Sequence, residues 1–140
     1  MKPVLWLRIS AGLYAFFTLG HGYGGNFAPS RGALEETLFA AMRAYRVDIQ
    51  GFTRSHWEFY RGFNHITTAM LVLMAVLCWQ LGSLSKTSPQ AARPMVATLV
   101  VASGALAVLG WMYFFMAPAI TATLATVTLI IALARLGATN

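Results

Sequence analysis

Runs of apolar residues separated by short polar stretches dominate the chain. The longest run, Pro94–Ala134, contains no charged residue. As a single helix it would reach about 60 Å, twice a bilayer core of about 30 Å, so it must fold back. Pro118 suits the first turn of a second helix because proline lacks an N–H. The pattern therefore predicts spans at 95–116 and 119–136, joined by a turn at Ala117–Pro118.

Two further spans are predicted upstream of this hairpin. Ile66–Leu81 is apolar but short, and it becomes long enough to cross a bilayer only when the span covers 59–81. The first span covers 4–22. A cleaved signal peptide is not favoured there, because Arg8 interrupts the apolar region and no Ala-x-Ala site follows. The polar stretch 82–94 is predicted to be a loop.

The segment between the first two spans has the periodicity of a helix. Apolar residues recur in it at intervals of three and four: Leu34, Leu38, Met42, Tyr45 and Ile49. Ser30 is the expected N-cap and Gly51 the expected stop. The pattern predicts an amphipathic helix over about 31–49 on the membrane surface, either as a lid or as a partner-binding surface.

Composition agrees with a membrane protein. Of the 140 residues, 58% are hydrophobic and 10% are charged, whereas about 25% of the residues in a soluble domain are charged. We therefore predict an all-α, integral membrane four-helix bundle, a single transmembrane domain over 1–140, with an interfacial helix between spans one and two. Each side of this topology carries five basic residues. Lys2 and Arg8 flank the first helix to insert, which favours cytoplasmic termini in the cell (inner) membrane.

Charge and cysteine content limit the classes of binding partner and of metal site that the sequence allows. The formal net charge of +6 favours membrane lipids with anionic headgroups, and no soluble basic domain is present to bind nucleic acid. The single cysteine, Cys78, excludes an intrachain disulfide and a multi-cysteine metal site. A homo-oligomer and a membrane protein partner both stay open.

The entry to the second span carries the densest set of candidate functional residues. On a helix, Glu58, Arg61 and His65 share one face, and Glu58 can pair with Arg61. An adjoining face holds Trp57, Tyr60 and Asn64. Ionisable groups within a span usually face the bundle interior and often mark function. We therefore predict a ligand-binding pocket formed by these two faces.

The same segment also has a structural interpretation. Ser55-x-x-Glu58 is a capping box, in which each side chain bonds the backbone N–H of the other residue. The neighbouring aromatic residues can anchor the helix at the membrane surface. Capping and anchoring leave Asn64 and His65 unexplained, so both interpretations stay open.

His21 lies in a glycine-rich exit from the first span, Gly20–Gly25. The glycines remove side-chain bulk, which lets another helix or a ligand approach closely. Span one ends near His21 and span two begins just before His65, so we expect both imidazoles to face one polar cavity. The structural alternative for His21 is a hydrogen-bonded packing residue.

The histidine spacing does not favour a metal. No His-x-x-x-His or Glu-x-x-His pair anchors a metal on one helix, so no metal site is predicted. His21 and His65 are the histidine pair of suitable depth for axial haem ligation. We predict no cofactor and keep haem as the alternative.

Small and hydroxyl-bearing residues line the last two spans. They are Ser103, Gly104, Ala107, Gly110, Ala122, Thr123 and Thr126. Small residues let helices approach closely in lipid, so this pattern predicts close helix packing and not a permeation path.

The chain resembles a family of uncharacterised small bacterial integral membrane proteins with four helices. The likeness rests on the His-Gly exit from helix one and on Trp57–Phe63, a Trp-x-Phe-Tyr-x-Gly-Phe entry to helix two. It covers most of the first 82 residues. The resemblance implies the four-helix architecture, and it supplies no catalytic residues because the family has no assigned activity.

Together these patterns favour a small polytopic membrane protein that binds a lipid, a hydrophobic small molecule or a membrane partner. Binding is expected in a polar pocket near the non-cytoplasmic face, formed by His21, Trp57, Glu58, Tyr60, Arg61, Asn64 and His65. One alternative is an intramembrane enzyme acting on an isoprenoid or lipid, with Glu58 and His65 or His21 as acid and base. The other is a haem- or quinone-binding electron-transfer subunit.

Overall fold

The computed structural model describes residues 2–137. These residues form five helices and two strands, which are, in chain order, α1 (Pro3–Asn26), α2 (Ala33–Ala44), β1 (Arg46–Ile49), β2 (Phe52–Ser55), α3 (His56–Thr87), α4 (Pro89–Tyr113) and α5 (Met116–Gly137). Four of these helices, α1, α3, α4 and α5, are long and apolar enough to cross a membrane. The predicted helical class is confirmed, and the short β-hairpin is an addition to it.

The chain groups into two compact units. One unit comprises the chain up to Leu19 together with the chain from Met70 onward. The other is the continuous segment Gly20–Ala69. Helices α1 and α3 each contribute residues to both units.

The first unit has an apolar core that is crossed by hydroxyl hydrogen bonds. Its largest fully buried side chains include Leu7, Tyr14, Leu71, Val96 and Leu129. The Tyr14 hydroxyl donates to Ser103 Oγ over 2.6 Å, which joins α1 to α4. Ser10 Oγ and Thr128 Oγ1 lie 2.8 Å apart and join α1 to α5. Hydroxyl groups therefore bridge helices inside an otherwise apolar core, as membrane helices commonly do.

Helices α4 and α5 approach each other closely, as the small residues predict. A Cβ placed on Gly110 would lie 3.1 Å from the Cα of Ala119, closer than side chains normally pack, so glycine suits this contact. Ser103 Oγ lies 2.7 Å from Thr126 Oγ1 along the same interface. The Trp111 indole N–H donates to Thr123 Oγ1 over 3.1 Å. The prediction of close packing is confirmed.

The turn between α4 and α5 lies three residues before its predicted position. The chain reverses at Phe114–Phe115, not at Ala117–Pro118. Pro118 stands instead in the first turn of α5, where a missing N–H leaves no intrahelical bond unmade. The proline thus marks the start of the helix and not the turn itself.

The polar stretch 82–94 is helical almost throughout, so the predicted loop is wrong. Helix α3 continues to Thr87 and α4 begins at Pro89, which leaves only Ser88 between them. Ser85 is buried, and its hydroxyl donates to the Gly82 carbonyl over 2.9 Å. Serine and lysine are compatible with a helix, so polarity here reflects exposure rather than a break in the helix.

In the second unit, the predicted helix over 31–49 is replaced by a shorter helix and a hairpin. Helix α2 ends at Ala44, and β1 pairs with β2 in antiparallel register. Gln50 and Gly51 have φ values of 55° and 82° and form a two-residue loop of the kind that closes tight hairpins. Asp48 reinforces it, because Oδ1 accepts from the Gly51 N–H over 3.1 Å and Oδ2 from Thr53 Oγ1 over 3.3 Å.

Helix α2 also begins without the predicted Ser30 cap. Gly32, with φ of 134°, occupies the N-cap position. Ser30 Oγ instead donates to Glu36 Oε1 over 2.7 Å. Glu35 and Glu36 lie in the first turn and Arg43 in the last, so these charges complement the helix dipole.

Candidate functional site

The predicted capping box at the start of α3 is present. The Ser55 N–H and hydroxyl donate to Glu58 Oε2 over 2.7 and 3.0 Å. The Glu58 N–H donates back to Ser55 Oγ over 3.2 Å. Ser55 is buried. One oxygen of the Glu58 carboxylate therefore holds the first turn of α3, and the described residues give Oε1 no hydrogen bond.

Glu58 pairs with Arg46 and not with Arg61. Arg46 Nη2 lies 3.9 Å from Glu58 Oε2. Arg46 stands opposite Ser55 in the hairpin register, and this places its side chain next to the capping box. Arg61 is exposed, and no hydrogen bond or ion pair involves it in the part of the chain that the structure describes. The expected Glu58–Arg61 pair is wrong because the hairpin supplies a nearer cation.

Trp57 and Tyr60 belong to an aromatic cluster that includes Phe39 of α2. The Phe39 ring centroid lies 4.8 Å from that of Trp57 and 6.5 Å from that of Tyr60. The Trp57 and Tyr60 rings stack with centroids 5.5 Å apart. Arg43 Cζ lies 4.5 Å from the Trp57 ring centroid. These contacts hold α2 against the start of α3, so both aromatic side chains have a packing role.

His21 and Asn64 lie in a hydrogen-bonded set between α1 and α3. His21 Nδ1 lies 3.1 Å from Thr68 Oγ1, and the Thr68 hydroxyl donates to the Asn64 carbonyl over 2.9 Å. The Asn64 amide donates to the Gly25 carbonyl over 2.9 Å. A Cβ on Gly25 would overlap the Asn64 amide, so the glycine-rich exit does permit close approach here.

His65 does not join this set. Its side chain is exposed, and the structure gives it no hydrogen bond among the described residues. His21 is half-buried and bonds Thr68 instead. The sequence predicts that both imidazoles face one polar cavity, and among the described residues no hydrogen bond joins His21 to His65. Nor does a hydrogen bond among these residues join Glu58 to either imidazole.

The described residues also bring no metal ligands together. No three His, Cys, Asp or Glu side chains between residues 2 and 137 lie close enough to hold a metal ion.

A shallow groove of about 210 Å³ opens beside the capping box. We call it the entry groove, and it is lined by Arg54, Glu58, Phe59, Gly62, Phe63 and Ile66. Its lining includes one cation and one anion, and the other lining residues are apolar. Such a lining can contact both a charged group and a hydrocarbon group.

Of the residues that line the entry groove, only Glu58 was predicted from the sequence to be a site residue. The available signal was the spacing of Glu58, Gly62 and Ile66, four residues apart, which puts a glycine between two larger side chains on one helix face. A Cβ on Gly62 would meet no heavy atom within 4 Å, so the groove is open at this point.

Comparisons with protein-family models, with curated proteins and with solved structures found no match.

Proposed function

We propose that this chain is a multi-pass protein of the cell (inner) membrane that binds a phospholipid in the entry groove. The lipid headgroup carries both a phosphate and an ammonium group. The groove lies on the non-cytoplasmic side in the topology with cytoplasmic termini. Of the seven residues that the sequence predicts for the pocket, the entry groove contains Glu58.

The observation that carries the proposal is the pairing of opposite charges with apolar walls in one groove. Arg54 and Glu58 lie in its lining together with Phe59, Phe63 and Ile66. A guanidinium binds phosphate oxygens well, and a carboxylate binds an ammonium group. A phospholipid with a zwitterionic headgroup has a phosphate for the guanidinium, an ammonium group for the carboxylate and acyl chains for the apolar side chains.

Both charged groups retain binding capacity. Glu58 uses Oε2 for the capping box and for Arg46, which leaves Oε1 for an ammonium group. Arg54 Nη1 donates to the Thr53 carbonyl over 3.1 Å. The other guanidinium nitrogens of Arg54 have no hydrogen bond among the described residues, so they can donate to a phosphate.

The exposed apolar face of α2 supports a place at the membrane surface. Leu34 is 86% exposed and Leu38 is 56% exposed, and none of the α2 residues is buried. Apolar exposure on this scale is unfavourable in water and is characteristic of interfacial helices. The same unit contains the entry groove, so membrane contact and headgroup binding can occur together.

The test is native mass spectrometry of delipidated protein titrated with phosphatidylethanolamine. Gly62→Leu fills the groove and is expected to abolish binding. The leucine enters open space, and its helix propensity exceeds that of glycine, so helix content is retained. Gly20→Leu is the matched control, because a Cβ on Gly20 also meets no heavy atom within 4 Å and Gly20 lies outside the groove.

Headgroup selectivity gives a second measurement. Glutamine can complete a capping box, so Glu58→Gln preserves the helix start while it removes the carboxylate charge. The variant is expected to bind phosphatidylethanolamine more weakly than wild type, whereas binding of phosphatidylglycerol, which has no ammonium group, is expected to be unchanged. Unchanged phosphatidylethanolamine binding by Gly62→Leu or by Glu58→Gln would exclude this site.

A further inference from the structure

Arg8 is a cation held firmly within the first unit. Its Cζ lies 3.3 Å from the ring centroid of Trp79, and its Nη2 donates to Ser83 Oγ over 2.9 Å. A Cβ on Gly82 would lie only 3.2 Å from Arg8 Nε, so the glycine gives the guanidinium its place against α3. Arg8 therefore contacts Trp79, Gly82 and Ser83, which lie on one segment of α3.

No carboxylate of its own unit neutralises Arg8. The chain up to Leu19 and from Met70 onward contains five basic residues, Lys2, Arg8, Lys86, Arg93 and Arg135, and no aspartate or glutamate. Arg8 Nη1 is buried and has no hydrogen bond among the described residues. A cation in such surroundings is stabilised by an anion, and this unit supplies none from its acidic side chains.

Arg8 also lines a groove of about 400 Å³, and we call it the Arg8 groove. Trp79 and Gln80 lie with Arg8 in its lining, and Ala11, Gly12 and Ala15 form its α1 wall. A Cβ on Gly12 would meet no heavy atom within 4 Å, so the small residues border open space here rather than a packed helix contact. The volume falls within the range of about 300–1,000 Å³ that is usual for small-molecule sites.

We propose that the Arg8 groove binds an anionic phospholipid. The phosphate is bound by the Arg8 guanidinium and the Gln80 side-chain amide, and one acyl chain lies along Ala11, Gly12 and Ala15. Trp79, which is 58% exposed, contacts the glycerol region, where indole rings are favoured in membranes. Charge complementarity selects this occupant, because every charged side chain of the unit is basic and the groove lining apart from Arg8 and Gln80 is apolar.

The test is native mass spectrometry of the delipidated full chain titrated with phosphatidylglycerol and, separately, with phosphatidylcholine. Wild type is expected to bind phosphatidylglycerol more tightly. Arg8→Gln should weaken that binding about tenfold or more, as expected for the loss of hydrogen bonds from a charged donor. Arg135→Gln is the control, because it removes the same charge from the same unit at an exposed residue outside the groove.

If Arg8→Gln does not fold, Gly12→Leu provides a second test of lipid binding in the Arg8 groove. It fills the groove, retains Arg8, and should weaken phosphatidylglycerol binding while helix content by circular dichroism is unchanged. Equal phosphatidylglycerol binding by wild type and Gly12→Leu overturns the proposal. So does displacement of the lipid by glycerol phosphate at equal concentration, because the acyl chain would then contribute nothing. If Gly12→Leu dissociates a dimer and leaves lipid binding intact, the groove is a protein interface and the proposal is likewise wrong.

The variants separate this site from the entry groove. Gly62→Leu tests only the entry groove, and Gly12→Leu tests only the Arg8 groove. Loss of phosphatidylglycerol binding in Gly12→Leu with intact phosphatidylethanolamine binding would support the Arg8 groove whatever the outcome at Gly62.

Discussion

The hydroxyl groups of Tyr14, Ser103 and Thr126 form a chain of hydrogen bonds that joins α1, α4 and α5. We predict that loss of the Ser103 hydroxyl reduces stability more than loss of the Tyr14 hydroxyl. Tyr14 and Ser103 are both fully buried. Ser103 Oγ accepts from the Tyr14 hydroxyl and also shares a hydrogen bond with Thr126 Oγ1. Tyr14→Phe therefore leaves Ser103 with one partner. Ser103→Ala leaves the buried Tyr14 hydroxyl with none, whereas Thr126 still donates to the Ala122 carbonyl over 2.8 Å.

The magnitudes follow from this difference. Loss of one satisfied hydrogen bond costs about 0.5–1.5 kcal/mol, and a buried polar group left without a partner costs about 1–3 kcal/mol. Hydrogen bonds between membrane helices average about 0.6 kcal/mol, so Tyr14→Phe should lie near the lower limit. Ser103→Ala should lower the free energy of unfolding by more than Tyr14→Phe does. The double variant should lose less than the sum, because it no longer contains the orphaned hydroxyl.

Denaturation in mild detergent, followed by circular dichroism, measures the four corners of this double-mutant cycle. Thr98→Ala is the control, because the exposed Thr98 hydroxyl bonds only the Pro94 carbonyl of its own helix. Equal losses for Tyr14→Phe and Ser103→Ala, or strictly additive losses in the double variant, would refute the reasoning. Additive losses would mean that the Tyr14–Ser103 bond does not stabilise the helix packing, and equal losses would mean that Ser103→Ala does not leave the Tyr14 hydroxyl unsatisfied.

Two further predictions concern the capping box and the topology. Ser55→Ala removes the serine side-chain bonds at the start of α3 and should reduce stability by about 1 kcal/mol, measured by thermal unfolding. Thr87→Ala is the control, because the exposed Thr87 hydroxyl donates to the Leu84 carbonyl of its own helix, and equal losses would argue against the cap. The topology can be tested with Ser30→Cys and Ser88→Cys in a chain in which alanine replaces Cys78. Both serines are exposed and one span separates them, so the two cysteines should react with a membrane-impermeant thiol reagent from opposite sides of the membrane. Reaction from the same side would contradict four spans.

The long helices were predictable because their signal is local and strong. A run of more than twenty apolar residues favours a helix in any context that lacks water, and Pro118 divides the last run into two. The hairpin was not predictable in the same way. Each of its strands has four residues, and Tyr45 and Ile49 fit the helical spacing of the preceding segment as well as they fit a strand. Pairing of the two strands across Gln50–Gly51 decides between a helix and a hairpin here. That pairing depends on residues that do not belong to the repeat of apolar residues every three and four positions.

The same distinction applies to the candidate site. The capping box was visible because it spans four consecutive residues. Helix spacing alone favours Arg61 as the partner of Glu58, but the observed partner is Arg46, which the hairpin register brings near. The entry groove and the aromatic cluster depend on several separated side chains, so no periodic pattern identifies them. His65 illustrates the limit: its sequence position near the span edge suggested an inward imidazole, and the side chain is exposed.

The acidic residues suggest why the two proposed sites differ in the lipid they select. All four, Glu35, Glu36, Asp48 and Glu58, lie within Gly20–Ala69, together with five of the ten basic residues. That unit can pair its charges internally and still present a cation and an anion in one groove, which suits a zwitterionic headgroup. The other unit has the remaining five basic residues and no acidic ones, so an Arg8 phosphate contact has no competing carboxylate there. A single uneven distribution of carboxylates therefore predicts two headgroup preferences in one small protein.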